Sequence, residues 1–153
     1  MNILIIENEI YLAQKVVSRL LDDGHSCDYI ESPNIDNLTK DYDTILLSTS
    51  LPSALCKNII KKYSENSIIL LLVSYISDET VTNPIKDGAK DYIMKPFIMD
   101  ELIRKIYHYK DCRSMRRELQ TLKEYFEFTM ADIDISDTFL PPSFPTLIES
   151  LKA

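Results

Sequence analysis

Glycine is nearly missing: Gly24 and Gly88 are the only two in 153 residues. Turns that demand a positive φ must be few, so Asn, Asp, Ser and the seven prolines have to carry most reversals of the chain. The shortage also argues against a bound nucleotide or flavin, because the first polar loop, ENEIYLA, has no glycine to let the backbone approach a phosphate. Cysteine is sparse as well. Cys27, Cys56 and Cys112 are odd in number, far apart and without a C-x-x-C pair, so neither a disulfide framework nor a zinc site is indicated. Idle thiols are the plain reading of the three, and a redox role is the alternative. Basic charge is in deficit: 17 Lys and Arg against 24 Asp and Glu leave a net charge of -7, a field that repels nucleic acid and anionic membranes. Any DNA contact would have to come from elsewhere. Long apolar runs are missing too. The longest, Ile68–Val73, is far short of the ~20 residues a bilayer-spanning helix needs, and no basic leader precedes Glu7, so a cytosolic protein without membrane contact is expected.

What remains is a chain of ordinary domain size in which short apolar runs alternate with helical periodicity. Asn2–Ile6 reads as a strand covered on both faces and stops at Glu7-Asn8-Glu9. Leu12, Val16 and Leu20, with Val17 and Leu21 beside them, then recur at helical spacing until Gly24 stops the segment. The alternation continues with strands at Ser26–Ile30, Thr44–Leu47, Ser67–Ser74 and Tyr92–Met94. Helices are predicted over Ile35–Lys40, over Ala54–Tyr63 with Leu55, Ile59 and Ile60 inward, over about Asp78–Asp87, and from Ile98 onward. Such an order implies an α/β fold with a parallel sheet and helices on both faces. Ligand chemistry in these sheets collects at the carboxyl ends of the strands, so Glu7, Asn8, Glu9, Ser48, Ser74 and Lys95 are expected to converge.

These residues resemble the receiver domain of two-component response regulators. ILIIENE resembles its first strand and acidic pair, DTILLSTSLP its third strand, acceptor position and Leu-Pro corner, LLVSYISDE its fourth strand and hydroxyl residue, and GAKDYIMKPF its fifth strand and lysine. The likeness covers residues 1–110 and implies a flavodoxin-like (βα)5 fold with a five-stranded sheet of order 2-1-3-4-5. In the family, an aspartate at position 48 accepts a phosphoryl group, and two acidic residues after the first strand join it in holding Mg²⁺. By that resemblance Glu7 takes the first acidic position, Asn8 the second, Ser48 the acceptor, Ser74 the switch hydroxyl, Tyr92 the switch aromatic and Lys95 the phosphate-binding lysine.

Two of the three anionic positions are therefore neutral. The formal pocket charge drops from -3 to -1, or from -2 to 0 with Lys95 included. Mg²⁺ wants anionic oxygen ligands, and phosphoryl transfer needs an in-line acceptor carboxylate, so neither a metal nor a cofactor is expected, and the chain is not read as an enzyme. Ser48 could act as a nucleophile only beside a general base, and His25 and His108 both fall away from the strand ends. Lys95 is expected to pair with Glu7 or reach solvent, and Glu9 to be a solvated charge opening the first helix.

The segment from Asp78 carries Pro84, which in a helix interior would clash with the Thr80 carbonyl at a cost of about 3 kcal/mol. A short helix capped by Asn83 with Pro84 at its first position, or an irregular segment with Val81 and Ile85 inward, is expected. In the last helix Arg104, Lys105, Lys110, Arg113, Arg116 and Arg117 are interleaved with acids, which favours a solvated face over a nucleic-acid stripe. Met115, Leu119, Leu122 and Phe126 form a narrow apolar seam suited to a partner helix or to packing back on the domain. ADIDIS reads as an edge strand and LPPSFP as a linker before TLIESLKA. Residues 111–153 are thus expected to be a helical extension and linker, leading to an output domain outside this sequence. The expected whole is an atypical, phosphorylation-independent receiver. It would serve as a dimerisation or regulatory module of a bacterial transcription regulator, forming a homodimer through the fourth helix, fifth strand and fifth helix or the C-terminal helix. DNA would be reached only through that output domain. A stand-alone adaptor and a cysteine-based redox regulator are the alternatives.

Overall fold

Strands that are apolar at consecutive positions have no face to offer water, so the runs NILII, TILLS and IILLLV take the middle of the sheet. The computed structural model describes residues 1–32 and 34–132. In it β1 (Asn2–Ile6), β2 (Ser26–Ile30), β3 (Thr44–Ser48), β4 (Ile68–Val73) and β5 (Asp91–Met94) form one parallel sheet of order β2-β1-β3-β4-β5. The more polar SCDYI and DYIM take the edges. Alternate side chains of each central strand enter opposite cores. Leu4, Ile6, Leu47 and Leu71 face Ile59 and Ile60 of α2 (Ser53–Tyr63). Ile5, Leu46 and Leu70 face Val16 and Leu20 of α1 (Ile10–Asp22) together with Leu102 and Ile106 of the last helix.

α1 buries Ala13, Val16 and Leu20, whereas Leu21, which lies beside them in the apolar pattern, is 53% exposed. Gly24, at φ 87, ends it as expected. Over Ile35–Lys40 the predicted helix is only a 3-10 turn, Ile35–Asn37. The Asn34 side-chain oxygen takes the Asp36 N–H and the Asn34 carbonyl takes that of Asn37, a local turn that competes with helix growth.

Pro84 is accommodated by widening the turn before it. Ser77 caps a π-helical turn, Asp78–Thr82, in which the N–H groups of Thr82 and Asn83 reach back five residues, to Ser77 and Asp78. The α-helical register at the Thr80 carbonyl, which the proline ring would obstruct, is thereby given up. The short helix α3 (Asn83–Asp87) follows, with Thr82 rather than Asn83 as its cap, Pro84 buried at the second position, and Val81 and Ile85 packed on the core. Gly88 closes it at φ 133, where a Cβ would lie 2.6 Å from Ser64 Cβ. Gly88→Ala is expected to lower unfolding stability by about 3 kcal/mol, from backbone strain and overpacking together, read as a shift of the urea midpoint.

The last helix, α4 (Met99–Asp132), runs as one element, so Ala131 and Asp132 of ADIDIS are helical, not strand. The rest of that motif, LPPSFP and TLIESLKA lie outside the described residues. The chain divides into two units after Tyr109. Among the described residues no helix is long and apolar enough to cross a membrane.

Candidate functional site

Strand register brings two of the predicted residues side by side. Ile6 lies opposite Leu47 and Ser48 opposite Leu72, so Glu7, one residue beyond β1, stands next to Ser48 at the end of β3. Both are fully buried. Lys95 leaves β5 at the same end, its N–H donating to the Val73 carbonyl at 2.7 Å, and the Lys95–Pro96 peptide is cis.

The Lys95 ammonium is the centre of the site. It donates to Glu7 Oε1 at 3.1 Å and Ser48 Oγ at 3.1 Å, and its nitrogen is 3.0 Å from Glu7 Oε2. The Oε2 contact is an ion pair without hydrogen-bond alignment, and that oxygen has no other donor among the described residues. Oε1 also accepts the Glu9 N–H at 3.1 Å. One buried cation thus answers one buried anion, which is the condition under which such charges are tolerated in an interior. Glu9 is 59% exposed at the start of α1 and gives α1 no side-chain cap, but its Oε1 is 3.7 Å from Lys95, closer to the site than a purely solvated charge.

The hydroxyl chain has a direction. Ser50 Oγ donates to Asn8 Oδ1 at 2.8 Å, which uses its only proton. In the 2.6 Å contact between Ser48 and Ser50, Ser48 must therefore be the donor. Ser48 Oγ also accepts from Lys95 and, at 3.3 Å, from the Ser50 N–H. Its proton and its lone pairs are all committed, and neither acceptor along this line, Ser50 Oγ or Asn8 Oδ1, is a base able to take that proton. His25 stands at the other end of β2, with Nε2 2.7 Å from the Tyr107 hydroxyl and Nδ1 3.2 Å from the N-terminal amine.

Not every predicted residue joins this group. Ser74 is exposed, and no hydrogen bond links it to Lys95 or Ser48 among the described residues. It lines a cleft of about 740 Å³ between α2 and the 78–87 segment instead. Tyr92 is half-buried on the α2 side of the sheet, with Lys105 Nζ 5.7 Å from its ring centre. Lys105 also donates to the Tyr92 carbonyl and to Asp91, which Tyr109 joins. Burial works to raise the Asp91 carboxyl, but the Tyr92 N–H and these two partners outweigh it and hold it below the usual range.

Cys56 is buried, with its Sγ 3.6 Å from the Ser48 carbonyl oxygen and 3.8 Å from that of Leu51, and burial pushes its thiol up to about 11. Cys27 is half-buried and also raised, by burial and then by Asp28, while Cys112 is half-buried on α4. Sequence reasoning missed Ser50, which ties Asn8 to Ser48. The repeat of hydroxyls in Ser48-Thr49-Ser50 is its only signal.

No family model matches the chain. It is 36% identical over 112 residues to the response regulator ArlR of Staphylococcus haemolyticus, covering 69% of this chain and 50% of that protein. It is 32% identical over 113 residues to the transcriptional regulatory protein DltR of Streptococcus agalactiae, with the same coverage. The chain spans about half the length of these relatives. A CheY-like response regulator receiver domain from Methanospirillum hungatei superposes with a TM-score of 0.68 at 20% identity, over 74% of this chain and 96% of that one. The sheet order and the structural likeness give the fold, and the sequence likeness to response regulators gives the family: the chain contains a response-regulator receiver domain.

Proposed function

We propose that this receiver works without phosphorylation, as a non-enzymatic regulatory and dimerisation module of a cytoplasmic transcription regulator that reaches DNA through a separate output domain. The observation that carries this reading is the state of Lys95. Its ammonium is held by Glu7 and Ser48 in a neutral, buried cluster, so the cation that would meet an incoming phosphoryl group already has its partners. Ser48 offers a hydroxyl committed at both its proton and its lone pairs, in place of a carboxylate.

The same residues do not fit Mg²⁺. A hard divalent ion needs several oxygen ligands, anionic ones by preference, and the donor set here is one carboxylate engaged by lysine, one amide oxygen that accepts from Ser50, and one hydroxyl. Among the described residues no three of His, Cys, Asp and Glu converge as a metal site. Titration calorimetry with MgCl₂ is expected to give no saturable heat in the micromolar to low millimolar range. Saturable micromolar binding would remove the support for the reading.

ArlR and DltR are named as a response regulator and a transcriptional regulatory protein, which supports a regulatory role for the longer protein of which this domain would be part. A thiol switch within the receiver has less support, because burial keeps Cys56 in its unreactive protonated form and disfavours the thiolate of Cys27 as well.

A further inference from the structure

Three large apolar side chains of α4 face water in a line: Met115 is 61% exposed, Leu119 45% and Leu122 46%. A helix that leaves such a stripe open lacks the partner its sequence is patterned for. The spacing sets the pattern. With Cys112, Leu119 and Phe126 at a positions, Met115 and Leu122 fall at d, so the steps from 112 to 126 alternate three and four without a break. Both Cys112 and Phe126 are half-buried on the same face.

The flanks decide what the partner is. In this register Asp111 and Glu118 occupy g positions, and Arg116 and Lys123 occupy e. When two copies run parallel, each g residue meets the e residue five places further along the other copy. Asp111 then meets Arg116, and Glu118 meets Lys123, twice over by symmetry. When two copies run antiparallel, g meets g and e meets e, which sets acid on acid and base on base. Among the described residues none of these four charges forms an ion pair within its own chain. We infer that the α4 segment from Asp111 to Phe126 is the homodimer interface, a short parallel two-stranded coiled coil with a second copy of this chain. This rests on the reading of the chain as a dimerisation module and is independent of whether the pocket takes a phosphoryl group.

The test uses the full chain. Sedimentation equilibrium is expected to show a reversible dimer. Leu119→Glu with Leu122→Glu abolishes it, Glu118→Lys weakens it about tenfold by turning two attractive contacts into repulsive ones, and adding Lys123→Glu to Glu118→Lys restores it. Residues five apart on one helix are not neighbours, so this rescue reports a contact between chains. Orientation is read by oxidation with diamide, where the two Cys112 thiols give up two protons and two electrons to the azo bond and join as a disulfide. Parallel copies set the two Cys112 residues in one layer, whereas an antiparallel pair centred on Leu119 would separate them by about 21 Å along the axis.

A covalent dimer on a non-reducing gel that is lost in Cys112→Ser is the expected result. A dimer that survives Leu119→Glu with Leu122→Glu would place the interface elsewhere and leave the dimerisation reading standing. A chain that stays monomeric at its solubility limit would overturn both. Failure of the charge exchange to rescue, or no Cys112 crosslink, would overturn the parallel register.

Discussion

Lys95→Met is expected to lower the unfolding free energy by about 3–5 kcal/mol at neutral pH, the largest stability effect of any single change at the site. The reason is the burial of Glu7, whose side chain is 0% exposed and whose only donors among the described residues are Lys95 and the Glu9 N–H. Methionine matches the length and apolar volume of the lysine stem, so packing is kept while an uncompensated carboxylate is left in the interior. Ser48 loses a donor at the same time. Urea unfolding should show a lower midpoint at unchanged slope. Adding Glu7→Gln should recover more than half of the loss, because the orphaned charge disappears with it. A Lys95→Met protein within about 1 kcal/mol of the parent would mean that Glu7 is solvated and that the ion pair does not hold the site together.

Asn8→Asp together with Ser48→Asp is expected to be labelled stoichiometrically by acetyl phosphate in the presence of Mg²⁺, where the unsubstituted chain is expected to take no label. The two substitutions supply what the site lacks, a second carboxylate ligand and an in-line acceptor, and the new aspartate at 48 competes with Glu7 for Lys95. Ser48→Asp alone should label poorly, since Asn8 still leaves the metal short of a ligand. The double variant gathers three carboxylates against one lysine, so it should be less stable than the parent without metal and regain stability as Mg²⁺ binds the folded state. Equal labelling of the single and double variants would show that Asn8 is not what keeps the metal out.

Much of this was legible in the chain because the physics is local. Consecutive apolar residues announce strands buried on both faces, and β1, β3 and β4 lie within a residue of where their runs place them. For Lys95 the residues at the acidic and acceptor positions left two outcomes, pairing with Glu7, the one anion among them, or reaching solvent, and burial of both groups selects the pair. Features that depend on how a loop folds back were not legible. Ser50 reaches Asn8 across 42 positions of chain, and nothing in the alternation of strands and helices says so. Ser74 shares a strand end with the site yet is exposed beyond β4, facing a different cleft. Pro84 announced a disturbance without its form, because a widened turn and a broken helix both relieve the same clash. The 3-10 turn at Ile35 turns on an Asn34 side chain that can serve a helix or a turn equally well.

Incubating the purified chain with acetyl phosphate and Mg²⁺ and measuring its intact mass tests most directly whether this receiver domain works without a phosphoryl group. The expected result is a mass identical to that of the untreated protein, under conditions in which the Asn8→Asp, Ser48→Asp variant gains one phosphoryl group. A stoichiometric gain of one phosphoryl group by the unsubstituted chain would contradict it.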